Sequence, residues 1–188
     1  MNDLELLDER VSPNAPSFTL ANRLKRVAWR LVWLFAARWT PPPLHRWRVF
    51  LLNIWGAQVD ATAHVYSSVE VWAPWNLRVL EFGSLAPRVR CYNIAPITIG
   101  AKAIVSQGAY LCTGTHNFRD PAFPLVAKTI EIGARAWVCA DALVGPGVTV
   151  GEGAVLAAAG VTFRDLDAWT VYVGNPAEAR GTRPPMTG

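Results

Sequence analysis

Aliphatic residues recur at every sixth position through much of this chain, and this period restricts the fold more than any other feature. The residue directly after each aliphatic position is small, and the residue four positions after it is Ala, Thr, Val or Gly. The most regular members of the series are Ile99, Val105, Leu111, Ile132, Val138, Val144, Val150 and Leu156. A helix of 3.6 residues per turn cannot hold one class of side chain at six-residue steps over several turns, so the period excludes helical structure there.

The period slips only after a third hexad. A looser form of the same register occurs nearer the N-terminus, at Val59, Val65, Val71, Val79, Leu85 and Cys91. The steps after Val71 and Cys91 are each eight residues, and the step after Leu111 is twenty-one. We therefore predict an all-β fold, a parallel β-helix with three hexads per coil, whose extra residues all leave at one corner. The repeat does not predict the hand, for which a right-handed crossover is the general expectation.

Three segments add a resemblance to a known family. TIGAKAIVSQGAYLCTGTHNFRDPAFPL and the closing VYVGNPAEARGTR resemble the hexapeptide-repeat acetyltransferases, which include galactoside, maltose and nodulation-factor acetyltransferases. RWRVFLLNIWGAQVDATAHV extends the likeness, in particular to the colanic acid biosynthesis acetyltransferases of exopolysaccharide pathways, from about residue 20 onward. The resemblance implies a left-handed β-helix, a homotrimer, active sites in clefts between subunits, and transfer of acetyl from acetyl-coenzyme A to a sugar hydroxyl without a metal.

His116 is the candidate catalytic residue. It follows a well-formed hexad and opens the longest corner insertion, where a rigid scaffold commonly presents a functional side chain. A hydroxyl is a poor nucleophile at neutral pH, and an imidazole can remove its proton and return one to the departing thiolate. In its TGTH context His116 matches the family's catalytic histidine. We expect His45, in the N-terminal arm, and His64, in an early coil, to be structural or solvated.

Donor-side candidates come from the resemblance and from side-chain size. The resemblance implies that the backbone N–H of Ala140 donates to the developing oxyanion. Small side chains would let the pantetheine arm of coenzyme A approach the backbone, a Trp could pack on the arm or the adenine, and guanidinium groups suit the phosphates. The candidate set is Trp137, Ala140, Ala158, Ala159, Arg164, Arg180 and Arg183. Ordinary filling of the repeat is the alternative for the first four. Glu178 stands where the family often has Lys or Arg, which leaves the phosphate contacts open.

Acceptor-side candidates are Asn93, Arg119 and Asp120. Asn93 matches a polar position that contacts the acceptor in the family, and an Asn that stabilises a turn is the alternative. Arg119 and Asp120 lie in the insertion, where they could contact the sugar or remain solvated. No carboxylate that orients His116 is evident, since Glu131 is near in sequence but of unknown direction.

The N-terminal part differs in composition from the repeats. Residues 20–39 and 44–55 are predicted as two helices, separated by three prolines at 41–43. The net charge of +4 arises here, because residues 11–59 contain seven Lys and Arg and no acid. The longest apolar run, Leu31 to Ala37, is too short to span a bilayer. Two alternatives remain: the arm contacts anionic headgroups, which would suit a lipid-linked acceptor, or it packs against the first coil.

These observations divide the chain into a helical arm at 1–55, a β-helix acyltransferase domain at 56–175 with a loop at 117–131, and a tail at 176–188. The acidic start MNDLELLDER is unlike a secretory signal, so we expect a cytoplasmic protein. Cys91, Cys112 and Cys139 lie at repeat positions and are expected to be reduced.

The sequence bears on three other functions. A γ-type carbonic anhydrase needs three metal-binding histidines and is disfavoured, since the repeats contain only His64 and His116. An N-acetyltransferase acting on an amino sugar and a non-catalytic β-helix remain open. A saccharide is the expected partner, and a nucleic acid is not expected.

Overall fold

The computed structural model describes residues 18–185 and the backbone of a short strand, β1 (Glu5–Leu6). Helix α1 (Leu20–Val32) begins where the Thr19 hydroxyl accepts a hydrogen bond from the backbone N–H of Asn22, and it continues as a π-helical turn over Trp33–Ala37. Helix α2 (His45–Ile54) follows the three prolines. The two predicted helices are thus confirmed. No helix in residues 18–185 has both the length and the apolar character needed to cross a bilayer.

The rest of the chain is a β-helix of short strands. In chain order these are β2 (Gln58–Val59), β3 (His64–Val65), β4 (Glu70–Val71), β5 (Leu77–Val79), β6 (Ser84–Leu85), β7 (Arg90–Tyr92), β8 (Ile97–Ile99), β9 (Ile104–Val105), β10 (Tyr110–Cys112), β11 (Gly114–His116), β12 (Leu125–Ala127), β13 (Ile130–Ile132), β14 (Trp137–Val138), β15 (Leu143–Val144), β16 (Thr149–Val150), β17 (Val155–Leu156), β18 (Val161–Thr162), β19 (Thr170–Val173) and β20 (Glu178–Thr182).

Successive coils stack as three parallel sheets, which form the three faces of a prism. The first face contains β2, β5, β8, β13 and β16; the second contains β3, β6, β9, β14, β17 and β19; the third contains β4, β7, β10, β15 and β18. Equivalent hexad positions pair directly, as Val79 does with Ile99 and Ile99 with Ile132. Ile99, Leu111 and Val138 are fully buried, so the predicted aliphatic columns do point inward. Three hexads per coil are confirmed.

The corner between the first and second faces explains why small residues follow the aliphatic positions. A Cβ atom on Gly100 would lie 2.6 Å from the backbone nitrogen of Ala134 in the next coil, and one on Gly133 would lie 2.7 Å from that of Glu152. These contacts are too close for any side chain, because the stacked coils turn together at this corner.

The corner between the third and first faces takes all the extra residues, as predicted. It holds a 3₁₀ turn at Pro74–Asn76 in the first coil and the hairpin β11–β12 after the third. Strand β1 pairs antiparallel with β12. The segment expected as a loop at 117–131 therefore includes a strand at Leu125–Ala127 and the start of β13.

The inner side of the arm closes the first coil. Trp29 is buried and its indole N–H donates to the carbonyl of Val71 at 2.8 Å. Arg48 is fully buried, and its guanidinium donates to the carbonyls of Val65 and Pro42, each at 2.6 Å. Of the two alternatives for the arm, packing against the first coil is therefore what the structure shows for its inner side. Trp29 covers the apolar end of the prism. The hydrogen bonds of the buried Arg48 guanidinium hold the proline turn against the first coil.

All three cysteines are free thiols, as expected. Cys91 occupies an inward column position, where burial raises the pKa of its thiol to about 12. Burial also raises the pKa of Cys139. Neither is a reactive thiolate at neutral pH.

Candidate functional site

His116 ends strand β11 and is exposed, beside the turn of the hairpin. Its Nδ1 lies 2.9 Å from the carbonyl oxygen of Phe123, and its ring stacks on the Phe123 ring at 4.4 Å between centroids with 7° between planes. A carbonyl oxygen can only accept a hydrogen bond, so in the neutral imidazole Nδ1 carries the proton. Nε2 then holds the free lone pair. The residue that orients His116 is therefore Phe123, through its backbone and its ring.

The base of the hairpin is fixed to the prism. The Thr113 hydroxyl is buried, donates to the Tyr92 carbonyl at 2.8 Å and accepts from the Ala95 N–H at 3.1 Å. Next in the chain, Gly114 has the Tyr92 ring and Ile94 so close that a Cβ would lie 2.9 Å and 2.7 Å from them. A side chain at 114 would push the hairpin outward. The position of His116 is thus set by contacts on both sides of its strand.

The hairpin turn contains two of the predicted acceptor residues. The Asp120 carboxylate accepts from the Ala122 N–H at 2.9 Å, and the Asn117 side chain accepts from the Arg119 N–H at 3.2 Å. The Arg119 guanidinium lies 5.8 Å from the centroid of the Phe118 ring. Arg119 and Asp120 are both exposed. Asp120 therefore shapes the turn with one oxygen, and both side chains lie close to His116 in the chain.

Asn93, the third predicted acceptor residue, is fully buried. Its side-chain oxygen accepts from the Ala73 N–H at 2.9 Å and its amide donates to the Ala73 carbonyl at 2.6 Å. Asn76 donates in turn to the carbonyls of Asn93 and Ile94, at 3.2 Å and 2.6 Å. The amide of Asn93 thus joins the turns of two successive coils at the corner between the third and first faces, which is the turn-stabilising alternative.

The predicted donor residues follow the second face, at the corner between the second and third faces. Ala140 is half-buried, its carbonyl accepts from the Ala159 N–H at 2.9 Å, and its own N–H has no hydrogen-bond partner within residues 18–185. Ala158 and Ala159 are exposed one coil further on. Trp137 is 43% exposed, and its indole N–H donates to the Ser106 hydroxyl at 2.9 Å. These residues form a shallow strip of small side chains with an indole beside it.

The three predicted phosphate-binding arginines lie on different elements. Arg164 is exposed after β18, at the corner between the third and first faces, and Arg180 is exposed in β20 with an ion pair to Glu178 at 2.9 Å. Arg183 lies at the corner between the first and second faces, where its guanidinium donates to the carbonyls of Arg135 and Gly153 at 3.0 Å and 3.3 Å. Among the three, Arg183 has the most evident structural role. A single chain does not bring them together.

A groove that the sequence did not reveal lies between α1 and the third face. Its volume is about 670 Å³ and its walls are rich in aromatic and cationic groups. They include Trp33, Arg38, Arg90, Tyr92 and Tyr110, with the Arg90 guanidinium 4.2 Å from the centroid of the Tyr110 ring. Tyr92 contacts the hairpin at Gly114, two residues or about 7 Å along the strand from His116. Outward positions on short strands have no distinctive spacing, so only the stacking of coils reveals this wall.

The candidate residues are therefore concentrated at two corners of the prism. The hairpin with His116 leaves at the corner between the third and first faces, whereas the Ala140 strip lies at the corner between the second and third. The whole third face separates these edges in one chain. The ring of His45 in α2 lies 4.9 Å from the ring of His64 in the first coil, between centroids, with 38° between the ring planes. In the part of the chain that the structure describes, no three His, Cys, Asp or Glu side chains are grouped to hold a metal ion.

Comparison with known proteins finds sequence relatives over most of the chain. The chain is 38% identical over 160 residues to the colanic acid biosynthesis acetyltransferase WcaF of Escherichia coli strain K12, a match that covers 85% of this chain and 88% of WcaF. No protein-family model matches the sequence.

Solved structures share the fold at lower identity. A maltose O-acetyltransferase from Clostridium difficile 630 has a TM-score of 0.78 at 18% identity, covering 89% of this chain and 90% of that one. The hexapeptide-repeat acetyltransferase VCA0836 of Vibrio cholerae O1 biovar eltor, complexed with acetyl-coenzyme A, has a TM-score of 0.78 at 20% identity, covering 90% and 93%. The shared fold is the left-handed β-helix, so the hand follows the family and not the general right-handed expectation.

Proposed function

Because the chain belongs to the colanic acid biosynthesis acetyltransferase family, we propose that it transfers an acetyl group from acetyl-coenzyme A to a hydroxyl of a sugar. Membership makes it an acetyltransferase; the acceptor, its place in exopolysaccharide or surface glycan synthesis, and the residues that act are the proposal. The observation that carries it is the geometry of His116, an exposed imidazole held by Phe123 on a hairpin whose base is fixed.

His116 acts as the general base. Its Nδ1–H is engaged by the Phe123 carbonyl, which leaves the Nε2 lone pair for the proton of the sugar hydroxyl as that oxygen attacks the thioester carbon. The imidazolium that results keeps its Nδ1–H bond, so the Phe123 carbonyl stabilises the positive charge. Nε2 then returns its proton to the thiolate when the carbon–sulfur bond breaks. One side chain, His116, thus both removes the proton and returns it.

Acetyl-coenzyme A supplies the acetyl group as a thioester, and the corner strip of small side chains fits the pantetheine arm. Ala140, Ala158 and Ala159 present no bulk there, and the Trp137 ring offers an apolar surface beside them. The N–H of Ala140 is available to donate to the oxygen on which negative charge develops. A neighbour in fold binds the same compound. Arg164 and Arg180 are exposed cations for the phosphates, and the guanidinium of Arg183, which donates to the carbonyls of Arg135 and Gly153, adds positive charge at its corner.

The saccharide lies at the hairpin and extends into the groove beside α1. Aromatic rings and guanidinium groups are the usual surfaces for sugar rings and for their acidic substituents. Tyr92 links groove and hairpin, because its ring contacts Gly114 in the strand that carries His116. Arg119 and Asp120 complete the acceptor side at the exposed turn.

The active form is a homotrimer. His116 and Ala140 lie on different edges of one prism, so the base of one subunit meets the donor strip of the next. A closed three-fold assembly of three-faced prisms provides this contact three times with identical interfaces. We place the trimer in the cytoplasm, with peripheral contact to the inner membrane face where the acceptor is lipid-linked.

The test is an acceptor screen with acetyl-coenzyme A and detection of the released thiol. Free sugars, nucleotide sugars, lipid-linked saccharides and amino sugars form its arms, and mass spectrometry of the product locates the acetyl group. We expect turnover with a hydroxyl acceptor. Turnover restricted to amines would replace the proposal with N-acetylation, and neither turnover nor coenzyme binding in any arm would overturn it.

A further inference from the structure

Helix α1 has apolar side chains on two opposite sides, and only one side is covered. The inner side carries Trp29 and Trp33, which are buried against the first coil. The outer side consists of large apolar residues at steps of three or four, the spacing of a single helical face. These residues, the outer stripe, are Leu20, Leu24, Val27 and Leu31 of α1 together with the neighbouring Leu34 and Phe35 of the π-helical turn, three and four residues after Leu31; all are exposed, and Phe35 is the most exposed at 75%.

The outer stripe continues onto the next elements. Trp39 and Leu44 in the connection are exposed, Trp39 at 80%, and so are Trp47, Phe50 and Ile54 of α2. The Trp47 indole N–H donates to the carbonyl of Ala36 at 2.8 Å, and its ring stacks on Phe50 at 5.6 Å. This bond joins α2 to the end of α1. The outer stripe and these five residues form one surface, here called the docking face.

The charged side chains that the arm itself contributes to the docking face are all positive, and Glu70 of β4 is the acid that lines the groove next to Arg30 and Arg38. Residues 11–59 contain seven Lys and Arg and no Asp or Glu, while residues 60–188 carry ten of each sign. Arg23 and Arg30 border the outer stripe and are exposed, as are Arg38 and Arg46. Arg48 is buried among carbonyls and takes no part. A neutral body therefore presents its apolar end with a cationic border.

We propose that the docking face binds the surface of an anionic lipid bilayer. Leu, Val, Phe and Trp would enter the boundary between headgroups and acyl chains, and the bordering arginines would pair with lipid phosphates. The helix lies in the plane of the membrane, since it is too short and too polar to cross it. Indole rings at Trp39 and Trp47 suit this interface, where one edge is apolar and the other wet.

The charge of the docking face favours a lipid bilayer over a second copy of this chain as its binding partner. A self-complementary contact through the docking face would bring Arg23 and Arg30 against the same cations of the partner, with no acid in residues 11–59 to neutralise them. Anionic headgroups neutralise all of them at once. This inference does not depend on acetyl transfer or on the role of His116.

The test is co-sedimentation of the full chain with vesicles of phosphatidylcholine alone or with roughly 30% phosphatidylglycerol, an anionic content that gives a clear surface potential. We expect at least about tenfold tighter binding to the anionic vesicles, reduced by added salt because headgroup attraction is screened. Leu24→Ser with Leu31→Ser, and separately Arg23→Glu with Arg30→Glu, should each lower binding on the order of tenfold.

Matched control variants change the same kinds of side chain, apolar and cationic, on the β-helix and not on the arm. Phe82→Ser deletes an exposed apolar side chain of the β-helix, and Arg78→Glu with Arg88→Glu reverses two exposed cations there; both should bind vesicles as the wild type does. Equal binding to both vesicle types, or arm variants that bind normally, would overturn the proposal. So would arm variants that lose their oligomeric state in light scattering while vesicle binding is unchanged. Activity on a soluble acceptor, measured in parallel, keeps this result separate from the proposed reaction.

Discussion

Replacing His116 by Asn separates the catalytic role of the imidazole from its structural one. The Asn amide nitrogen occupies nearly the position of Nδ1, so it can still donate to the Phe123 carbonyl, 2.9 Å away in the native hairpin. The atom that Asn lacks is the counterpart of Nε2, the proposed base. His116→Asn therefore keeps the contact that holds the hairpin and removes the lone pair that takes the proton.

The two contributions differ enough in size to be distinguished. A positioned general base contributes about 10² to 10⁴ in rate, which corresponds to about 2.7 to 5.5 kcal/mol of transition-state stabilisation. The hydrogen bond to Phe123 lies at an exposed hairpin and contributes on the order of 1 kcal/mol at most to folding. We thus expect kcat to fall at least about a hundredfold while Tm changes by only a few degrees.

The assay is thiol release from acetyl-coenzyme A with the acceptor found in the screen, beside a thermal melt and a coenzyme-binding measurement. His64→Asn is the matched control, because His64 is also an exposed histidine but lies in the first coil. Activity of His116→Asn within tenfold of the wild type, with the melt unchanged, would refute the general-base assignment. A collapse of Tm would show instead that the hairpin depends on the ring stacked on Phe123.

Three further predictions concern the core, the arm and the groove. Leu111→Ala, at a fully buried column position, should lower the free energy of unfolding by about 2–5 kcal/mol in denaturant titrations, whereas Ile104→Ala, 46% exposed, should cost under about 1 kcal/mol. Burial lowers the pKa of His45, so its unfolded form takes up a proton first as pH falls below about 6.5; Tm should drop from pH 7.5 to 5, and His45→Asn should flatten that drop. Arg90→Ala should raise the acceptor KM severalfold with kcat nearly constant, and Arg78→Ala should change neither.

Each of these has a clear contrary result. Equal losses at positions 111 and 104 would mean that the column is not the core. A melt of the His45 variant as steep in acid as that of the wild type would assign the acid sensitivity to other groups. An unchanged KM in the Arg90 variant would place the acceptor outside the groove.

Much of the architecture was readable from the sequence. The six-residue period specifies which side chain points inward, because a strand on a flat face and a tight corner must both fit into six residues. The slips in the period specify which corner carries the insertions, and so the place of His116 at the base of a projecting segment. These are local constraints, each expressed within a few residues of the chain.

Contacts between distant segments decided the rest. Asn93 and Ala73 are twenty residues apart and meet only because coils stack, so a polar residue near the insertion proved to be a buried link between turns. The partner of His116 is a backbone carbonyl, which has no side-chain signature. Likewise the apolar residues of α1 look alike in sequence. Only docking against the first coil buries Trp29 and leaves Leu24 in solvent, because one face of a helix can pack on one surface at a time.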